Sequence, residues 1–140
     1  MKRGRRIAFD YGDVRIGVAV SDPDSILSSP LTTLKTTDRN LKLQISDIFS
    51  EVDPVTIYVG RPALLSGKDG SASGKAAEFV ALLSTITTAP IEMVDERMST
   101  ISASRNLRDA GRNAKDSKDS IDMAAAVAIL DFAIEIEKRK

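Results

Sequence analysis

Three acidic residues of this 140-residue sequence stand where carboxylates can act together. Asp10 ends a short apolar run and precedes a glycine-containing turn, and Glu96 comes directly after a second apolar run. Asp122 is in line with the apolar stripe of a predicted C-terminal helix, whose other members are Ala126, Ile129, Ala133 and Ile136. A carboxylate on a buried helix face is costly to desolvate unless it is paired or bound to a cation. Together the three acids suit the binding of hard divalent cations through oxygen.

Each acid also has a simpler interpretation when it is taken alone. Asp10 can be a turn acid that accepts hydrogen bonds from its own backbone, and Asp122 can be a first-turn acid of the helix. Glu96 can pair with the neighbouring Arg97. The functional interpretation therefore depends on the three acids in combination.

Histidine and cysteine are both absent from the sequence. Their absence excludes Ser-His and Cys-His nucleophile systems, zinc sites built from thiolate or imidazole, iron–sulfur clusters and disulfides. Two cations about 3.5–4 Å apart can activate water and clamp a phosphodiester for in-line attack without a histidine base. Metal-dependent phosphodiester hydrolysis is therefore the chemistry that the acids predict.

Composition places the acids in a single globular domain that spans residues 1–140. The sequence is 42% hydrophobic and 29% charged, with 20 basic residues against 20 acidic ones. No apolar run approaches 18 residues, and the basic start MKRGRRIAFD lacks the apolar core of a signal peptide. We therefore expect a cytoplasmic protein, and the net charge favours no class of partner.

Hydrophobic periodicity predicts an α/β fold that can position the acids. Strands are predicted at 6–10, 15–20, 31–35, 55–60 and 91–95, and the first three form an antiparallel meander. Helices are predicted at 41–52, 76–87, 99–111 and 120–137, with polar connections at 61–73 and 112–118. Asp38 is the predicted N-cap of the first helix, and Asp53-Pro54 ends it. The order predicts a five-stranded mixed sheet with helices on both faces.

Four sequence stretches at these spacings resemble one known family. They are Ala8-Phe9-Asp10-Tyr11-Gly12-Asp13-Val14-Arg15-Ile16-Gly17-Val18-Ala19, Tyr58-Val59-Gly60-Arg61-Pro62, Asp95-Glu96-Arg97-Met98-Ser99-Thr100 and Ser120-Ile121-Asp122-Met123-Ala124-Ala125-Ala126. In this order they resemble the YqgF-type family of pre-16S rRNA nucleases, which is also described as Holliday-junction-resolvase-like. The likeness covers nearly the whole chain.

The resemblance implies a ribonuclease H-like fold with the strand order 3-2-1-4-5. It also implies that Asp10, Glu96 and Asp122 form a catalytic site that binds Mg²⁺ or Mn²⁺, and that the substrate is the 5′ end of a precursor of 16S ribosomal RNA. The turn departs from the family, because Asp13-Val14 stands where many members carry a Lys or another polar residue. Asp13 is therefore a possible fourth acid, and Asp119 competes with Asp122 as the third ligand.

Basic residues indicate where a nucleic acid can bind. Residues 97–118 contain six basic and two acidic residues, and residues 1–6 contain four basic residues and no acid. Such clusters bind phosphates without sequence preference. The candidates nearest the acids are Arg15, Arg97, Lys115 and Lys118. Aromatic residues are scarce and indicate no base-stacking platform, and Tyr11, next to Asp10, is the one to test.

Two other functions remain open at this point. A Holliday junction resolvase would use the same chemistry on four-way DNA, and its two symmetric cuts require a dimer. A nucleic-acid-binding module without catalysis would need its acids only for structure. The sequence leaves open whether the chain is a monomer or a weak homodimer.

Overall fold

The computed structural model describes residues 2–61, 71–95 and 114–139, and the side chains in these ranges except those of 61, 71–73 and 114–122. The strands are β1 (Arg6–Tyr11), β2 (Arg15–Ser21), β3 (Ser28–Lys35), β4 (Thr56–Arg61) and β5 (Ile91–Asp95). The helices are α1 (Leu41–Val52), α2 (Ser71–Ser84) and α3 (Ala114–Arg139).

The five strands form one mixed sheet in the order β3-β2-β1-β4-β5. β1 pairs antiparallel with β2, and β2 pairs antiparallel with β3. β4 lies between β1 and β5 and is parallel to both. The predicted strand order 3-2-1-4-5 and the predicted antiparallel meander of the first three strands are both confirmed. Since β1, β4 and β5 are parallel, their carboxyl ends meet at the same edge of the sheet.

Large apolar residues cover the face of the sheet that packs against α1 and α2. Ile7 and Phe9 of β1 are buried on this face, together with Ile45 and Phe49 of α1 and Phe79 of α2. The rings of Phe49 and Phe79 lie edge-on to the ring of Phe9, with centroids 6.1 and 5.3 Å away. The core of the domain therefore lies largely on this side.

Smaller residues cover the opposite face, where α3 packs against β1, β2, β3 and β4. Ala8 of β1 and Ala19 of β2 are fully buried there, in contact with the stripe of α3 that contains Ala126 and Ile129. Ile136, the last member of the predicted stripe, is 39% exposed, so the stripe leaves the sheet before its end. Burial of both faces explains why β1 is an almost continuous apolar run.

Several element boundaries differ from the sequence predictions, and three of the differences concern helix starts. Asn40, not Asp38, precedes the first residue of α1, and the carboxylate of Asp38 instead accepts a 2.8 Å hydrogen bond from the backbone N–H of Asn40. At the other end Asp53 terminates α1 in a left-handed conformation with φ 52°. α2 begins at Ser71, inside the predicted loop 61–73.

The third difference concerns α3. The sequence predicts a polar connection at 114–118, but the helix begins at Ala114. Residues 114–118 carry no apolar stripe, so hydrophobic periodicity does not indicate a helix there. The predicted helix at 99–111 lies outside the described residues. In the described part of the chain, no helix is long and apolar enough to span a membrane.

Candidate active site at the carboxyl edge of the sheet

Asp10 lies near the end of β1 with its side chain on the face that packs against α3. The alternation along the strand puts Ala8 and Asp10 on this face, and Phe9 and Tyr11 on the other. Asp10 is only 6% exposed. A carboxylate at this depth keeps its charge only where cations or hydrogen-bond donors compensate its desolvation.

Glycines flank Asp10 on both neighbouring strands. Asp10 pairs with Gly17 of β2 on one side and with Gly60 of β4 on the other. Residues paired in register point to the same face, and strands are about 4.8 Å apart, so two side chains are missing directly beside the carboxylate. Neither neighbouring strand therefore places a side chain directly beside the Asp10 carboxylate, which sequence reasoning did not recognise.

The turn after Asp10 is held in one conformation by close contacts. A Cβ added to Gly12 would lie 2.6 Å from the carbonyl oxygen of Arg15, a distance that no side chain tolerates. The hydroxyl of Thr36 donates a 2.7 Å hydrogen bond to the carbonyl oxygen of Gly12. The turn thus fixes the end of β1 relative to the start of β2, where Arg15 lies partly exposed.

Asp13, the possible fourth acid, is directed away from Asp10. Its carboxylate forms a 3.2 Å ion pair with Nζ of Lys75 in α2, and its side chain is 65% exposed. Lys75 and Asp13 thus join α2 to the turn on the surface. No group of three acids that could hold a metal ion occurs among the residues with described side chains, which exclude Glu96 and Asp122.

Tyr11 does not lie beside the Asp10 carboxylate. Its side chain is on the opposite face, where its ring packs against Phe79 with centroids 5.1 Å apart. Burial raises the pKa of the Tyr11 hydroxyl, and the negative charge of Asp13 raises it further. The ring of Tyr11 therefore lies on the face opposite to the Asp10 carboxylate, and its base-stacking role stays a prediction.

For several predicted site residues the structure describes only the backbone, and others lie outside the described residues. Glu96 and Arg97 lie outside the described residues, immediately after the last residue of β5. Asp122, Asp119, Lys115 and Lys118 all lie in α3, with a described backbone only. The two lysines are therefore helical residues, not loop residues. Helical periodicity puts positions 115, 118 and 122 on one face of α3.

The N-terminal basic residues are at the end of the sheet opposite to Asp10. Arg6 begins β1, and its guanidinium is fully buried and paired with Glu137 of α3 at 3.0 Å. Arg3 forms a 2.9 Å ion pair with Asp24. This basic cluster therefore lies away from Asp10, and the guanidinium of Arg6 is engaged inside the protein.

Sequence reasoning also missed the partner of Arg6. Glu137 accepts hydrogen bonds from Arg6 and from the hydroxyl of Tyr58 in β4. The desolvation that burial imposes raises the pKa of Glu137, but these hydrogen bonds outweigh it and lower the pKa below its usual value. One signal was available: Glu137 continues the buried stripe of Leu130 and Ile134 at helical spacing, which is an unusual position for an acid.

Comparison with known proteins now places the chain in a family. The family model described as RuvX, Holliday junction resolvase, matches residues 4–135. This chain belongs to the RuvX family. A relative from Streptomyces coelicolor is 42% identical over 140 residues, covering 99% of this chain and 84% of the relative, and is named "Putative pre-16S rRNA nuclease". A relative of the same name from Rhodococcus erythropolis is 44% identical, and the match covers 98% of this chain and 81% of the relative.

Solved structures confirm the fold of this RuvX family member. The chain superposes on Thermus thermophilus RuvC in complex with a Holliday junction substrate with a TM-score of 0.65 and 11% identity, over 96% of each chain. Thermus thermophilus RuvC in a second structure gives a TM-score of 0.60 and 13% identity, also over 96% of each chain. The fold is ribonuclease H-like, with helices on both faces of the sheet.

Proposed function

We propose that this protein is a divalent-metal-dependent nuclease that hydrolyses phosphodiester bonds in precursor 16S ribosomal RNA. One observation carries the proposal: Asp10 is buried between two glycines at the carboxyl edge of three parallel strands. In open α/β sheets this edge is where ligands bind. The choice of substrate follows the relatives that are 42–44% identical and bear the name of that nuclease.

The ligand set of the proposed site is Asp10, Glu96 and Asp122. Glu96 follows β5 by one residue, and Val94, two residues earlier, is in the row of Asp10 and Gly60 across the sheet. Asp122 belongs to α3, which packs on the face of Asp10 and whose C-terminal end is anchored at the start of β1. The N-terminal half of α3 thus extends from that anchor across the same face.

The donors fit Mg²⁺ or Mn²⁺. Carboxylate oxygens are the ligands that these hard cations prefer, and the chain has no histidine or cysteine to favour another metal. The missing side chains at Gly17 and Gly60 provide space next to Asp10. A divalent cation held there would supply positive charge to the scissile phosphate and to the attacking water.

The remaining residues of the proposed site orient the nucleic acid. Arg15 is the first residue of β2, the strand that pairs with β1. With Arg97, Lys115 and Lys118 it forms the proposed phosphate-binding set. These cations hold the backbone of the substrate over the carboxylates and contribute affinity that falls with salt.

Cleavage assays with purified protein test this function. The protein is incubated with a precursor fragment of 16S ribosomal RNA, with Mg²⁺ or with Mn²⁺. We expect cleavage by the wild type and none by Asp10→Asn or Asp122→Asn, with melting temperatures equal to or above that of the wild type because repulsion between the acids is removed. Asp13→Asn is the matched control and should remain active, since Asp13 is exposed and paired with Lys75. Cleavage by Asp10→Asn at the wild-type rate would reject the proposed site.

The second candidate is a Holliday junction resolvase, which the description of the family model favours. A four-way DNA junction in the same assay tests it, together with sedimentation of the protein alone and with junction. Paired symmetric cuts by a dimer would support the resolvase. A monomer that cleaves the RNA fragment and leaves the junction intact would exclude it.

A further inference from the structure

The guanidinium of Arg6 is held by a complete set of acceptors, although it has no exposed surface. Nε and Nη2 donate to the two carboxylate oxygens of Glu137 at 3.0 and 3.2 Å. Nη1 donates to the carbonyl oxygen of Gly4 and to the hydroxyl of Ser25, and Nη2 also donates to the carbonyl oxygen of Lys2. A planar fork with all its donors engaged holds its carboxylate in one orientation.

Glu137 is bound from a second strand as well. The hydroxyl of Tyr58 donates to Oε2 of Glu137, the oxygen that also accepts from Nε of Arg6. Tyr58 is 1% exposed and pairs in register with Ala8, so it belongs to the row between Arg6 and Asp10. The end of α3 is thereby fixed to β1 and β4, the two central strands.

The network joins the two elements that carry two of the proposed metal ligands. Arg6 and Asp10 are on the same face of β1, and Asp122 and Glu137 are on α3. In β1 the network residue Arg6 is at the start of the strand and Asp10 is near its end. In α3 the network residue Glu137 is near the C-terminal end and Asp122 is in the N-terminal half. Fifteen residues separate Asp122 from Glu137, which is about 22 Å along a helix. Because a helix is stiff along its axis, a shift at Glu137 is transmitted to Asp122.

Apolar packing holds the middle of α3 on the sheet. The sheet presents the small residues Ala8 and Ala19, and the helix presents Ala126 together with the larger Ile129 and Leu130. Hydrophobic packing of this kind is not directional. The directional hydrogen bonds of Glu137 add a constraint on the axial position of the helix.

We infer that Glu137, held by Arg6 and Tyr58, is a positioning residue that sets the place of Asp122 relative to Asp10 and so the geometry of the metal site. The inference rests on the proposed function. It concerns a carboxylate that never touches metal or substrate, since it is at the opposite end of β1 from Asp10. Removal of the Glu137 carboxylate should weaken metal binding and slow cleavage, with a smaller effect on the affinity for RNA.

The test compares Glu137→Gln with Glu135→Gln, a matched control on the same helix. Glu135 is exposed and pairs only at 3.4 Å with Arg139, four residues later. Mn²⁺ binding to the protein without RNA is measured by electron paramagnetic resonance, and kcat and KM are measured at saturating Mn²⁺. All measurements are made at a temperature at which circular dichroism shows each variant to be folded.

For Glu137→Gln we expect the Kd for Mn²⁺ to rise about tenfold and kcat to fall about 10–100-fold, as small misplacements of catalytic groups do. KM for RNA should change less than the Kd for Mn²⁺, because the long, flexible side chains of Lys115 and Lys118 tolerate a small displacement of α3 that metal coordination does not. Glu135→Gln should match the wild type in the Kd for Mn²⁺, in kcat and in KM for RNA. A merely structural role would lower the melting temperature and leave the Kd for Mn²⁺ of the folded protein unchanged, and that result would overturn the inference.

If Glu137→Gln does not fold, Tyr58→Phe tests the same inference, because it keeps the ion pair between Arg6 and Glu137. It removes one hydroxyl, and we expect a smaller rise in the Kd for Mn²⁺ in the same direction. A folded Tyr58→Phe with wild-type Mn²⁺ affinity would overturn the inference in that case. A wild-type protein that neither binds Mn²⁺ nor cleaves RNA would overturn the proposed function itself, which distinguishes the two failures.

Discussion

Thr36 braces the turn that follows Asp10 by a hydrogen bond to Gly12. The hydroxyl of Thr36 donates to the carbonyl oxygen of Gly12 at 2.7 Å, and the backbone N–H of Thr36 donates to the carbonyl oxygen of Val14 at 3.0 Å. The residue just beyond β3 therefore holds both sides of the turn between β1 and β2. Since Asp10 and Arg15 flank this turn, the brace contributes to the placement of both.

Replacement of Gly12 should be poorly tolerated. In Gly12→Ala the new Cβ would meet the carbonyl oxygen of Arg15 at 2.6 Å, and a backbone atom cannot rotate aside as a side chain does. We expect the free energy of unfolding to fall by about 1–3 kcal/mol, with slower cleavage because the end of β1 must move. Urea unfolding and the cleavage assay measure the two effects.

Gly74→Ala is the matched control for this substitution. A Cβ added at Gly74 meets no atom within 4 Å, and the residue is inside α2. Alanine is favoured over glycine within a helix by up to about 1 kcal/mol, so this variant should be as stable as the wild type or more stable. Equal stability of Gly12→Ala and the wild type would contradict the close approach at the turn.

Gly60→Ala should impair the metal site more than the fold. The added methyl group would stand beside the Asp10 carboxylate, on the same face and on the adjacent strand. We expect cleavage to fall by about tenfold or more and the Mn²⁺ concentration for half-maximal activity to rise, because the methyl group occupies space for the cation or displaces Asp10. Titration of activity against Mn²⁺ measures this, and unchanged activity would show that the space beside Asp10 is not used.

The sequence predicted the sheet well because its signals were local. Apolar runs bounded by turns located all five strands, and the family resemblance implied their order in the sheet. The first turns of α3 were missed because residues 114–118 are polar and carry no apolar stripe. Tyr11 follows Asp10 in the sequence, but its ring lies on the other face because adjacent side chains of a strand point to opposite faces.

The site was predictable only in part, for a different physical reason. Asp10 could be recognised from the run and turn around it, but Gly17 and Gly60 become its neighbours only through strand pairing. The hydrogen bond between Arg6 and Glu137 joins residues 131 positions apart. Such interactions depend on the register of the sheet and the placement of α3, which no local pattern encodes.

Stability in acid should depend on Glu137. Burial raises the pKa of this carboxyl, but the hydrogen bonds from Arg6 and Tyr58 outweigh burial, so the pKa lies below the usual 4.5. A carboxyl with a lowered pKa in the folded state stabilises the fold above its unfolded pKa, and that contribution disappears as the pH falls through the folded value. The melting temperature of the wild type should therefore fall as the pH is lowered below 4.5.

Two variants isolate this contribution. Glu137→Gln leaves the fully buried Arg6 without its counter-charge, so at pH 7 its free energy of unfolding should be lower by about 3 kcal/mol. Its melting temperature should then fall less steeply in acid than that of the wild type. Glu135→Gln, which removes an exposed pair, should follow the wild-type curve. Parallel acid curves for all three proteins would refute this assignment.

Removal of Lys115 and Lys118 should weaken the binding of RNA. The backbone of α3 holds positions 115, 118 and 122 on one face, so the two lysines and the proposed ligand Asp122 have a fixed spacing. The double variant Lys115→Ala/Lys118→Ala should bind RNA more weakly. On single-stranded RNA, the slope of log K against log salt should become shallower by about 0.7 for each phosphate that the variant no longer neutralises.

Lys2→Ala/Arg5→Ala is the matched control, because it removes two exposed cations at the opposite end of the sheet. Net charge changes by the same amount in both double variants, so a difference between them reports position and not overall charge. Filter binding over a range of salt concentrations measures both slopes. Equal slopes for the two double variants would show that RNA is attracted by the charge of the whole protein and that the face of Lys115 and Lys118 does not bind it.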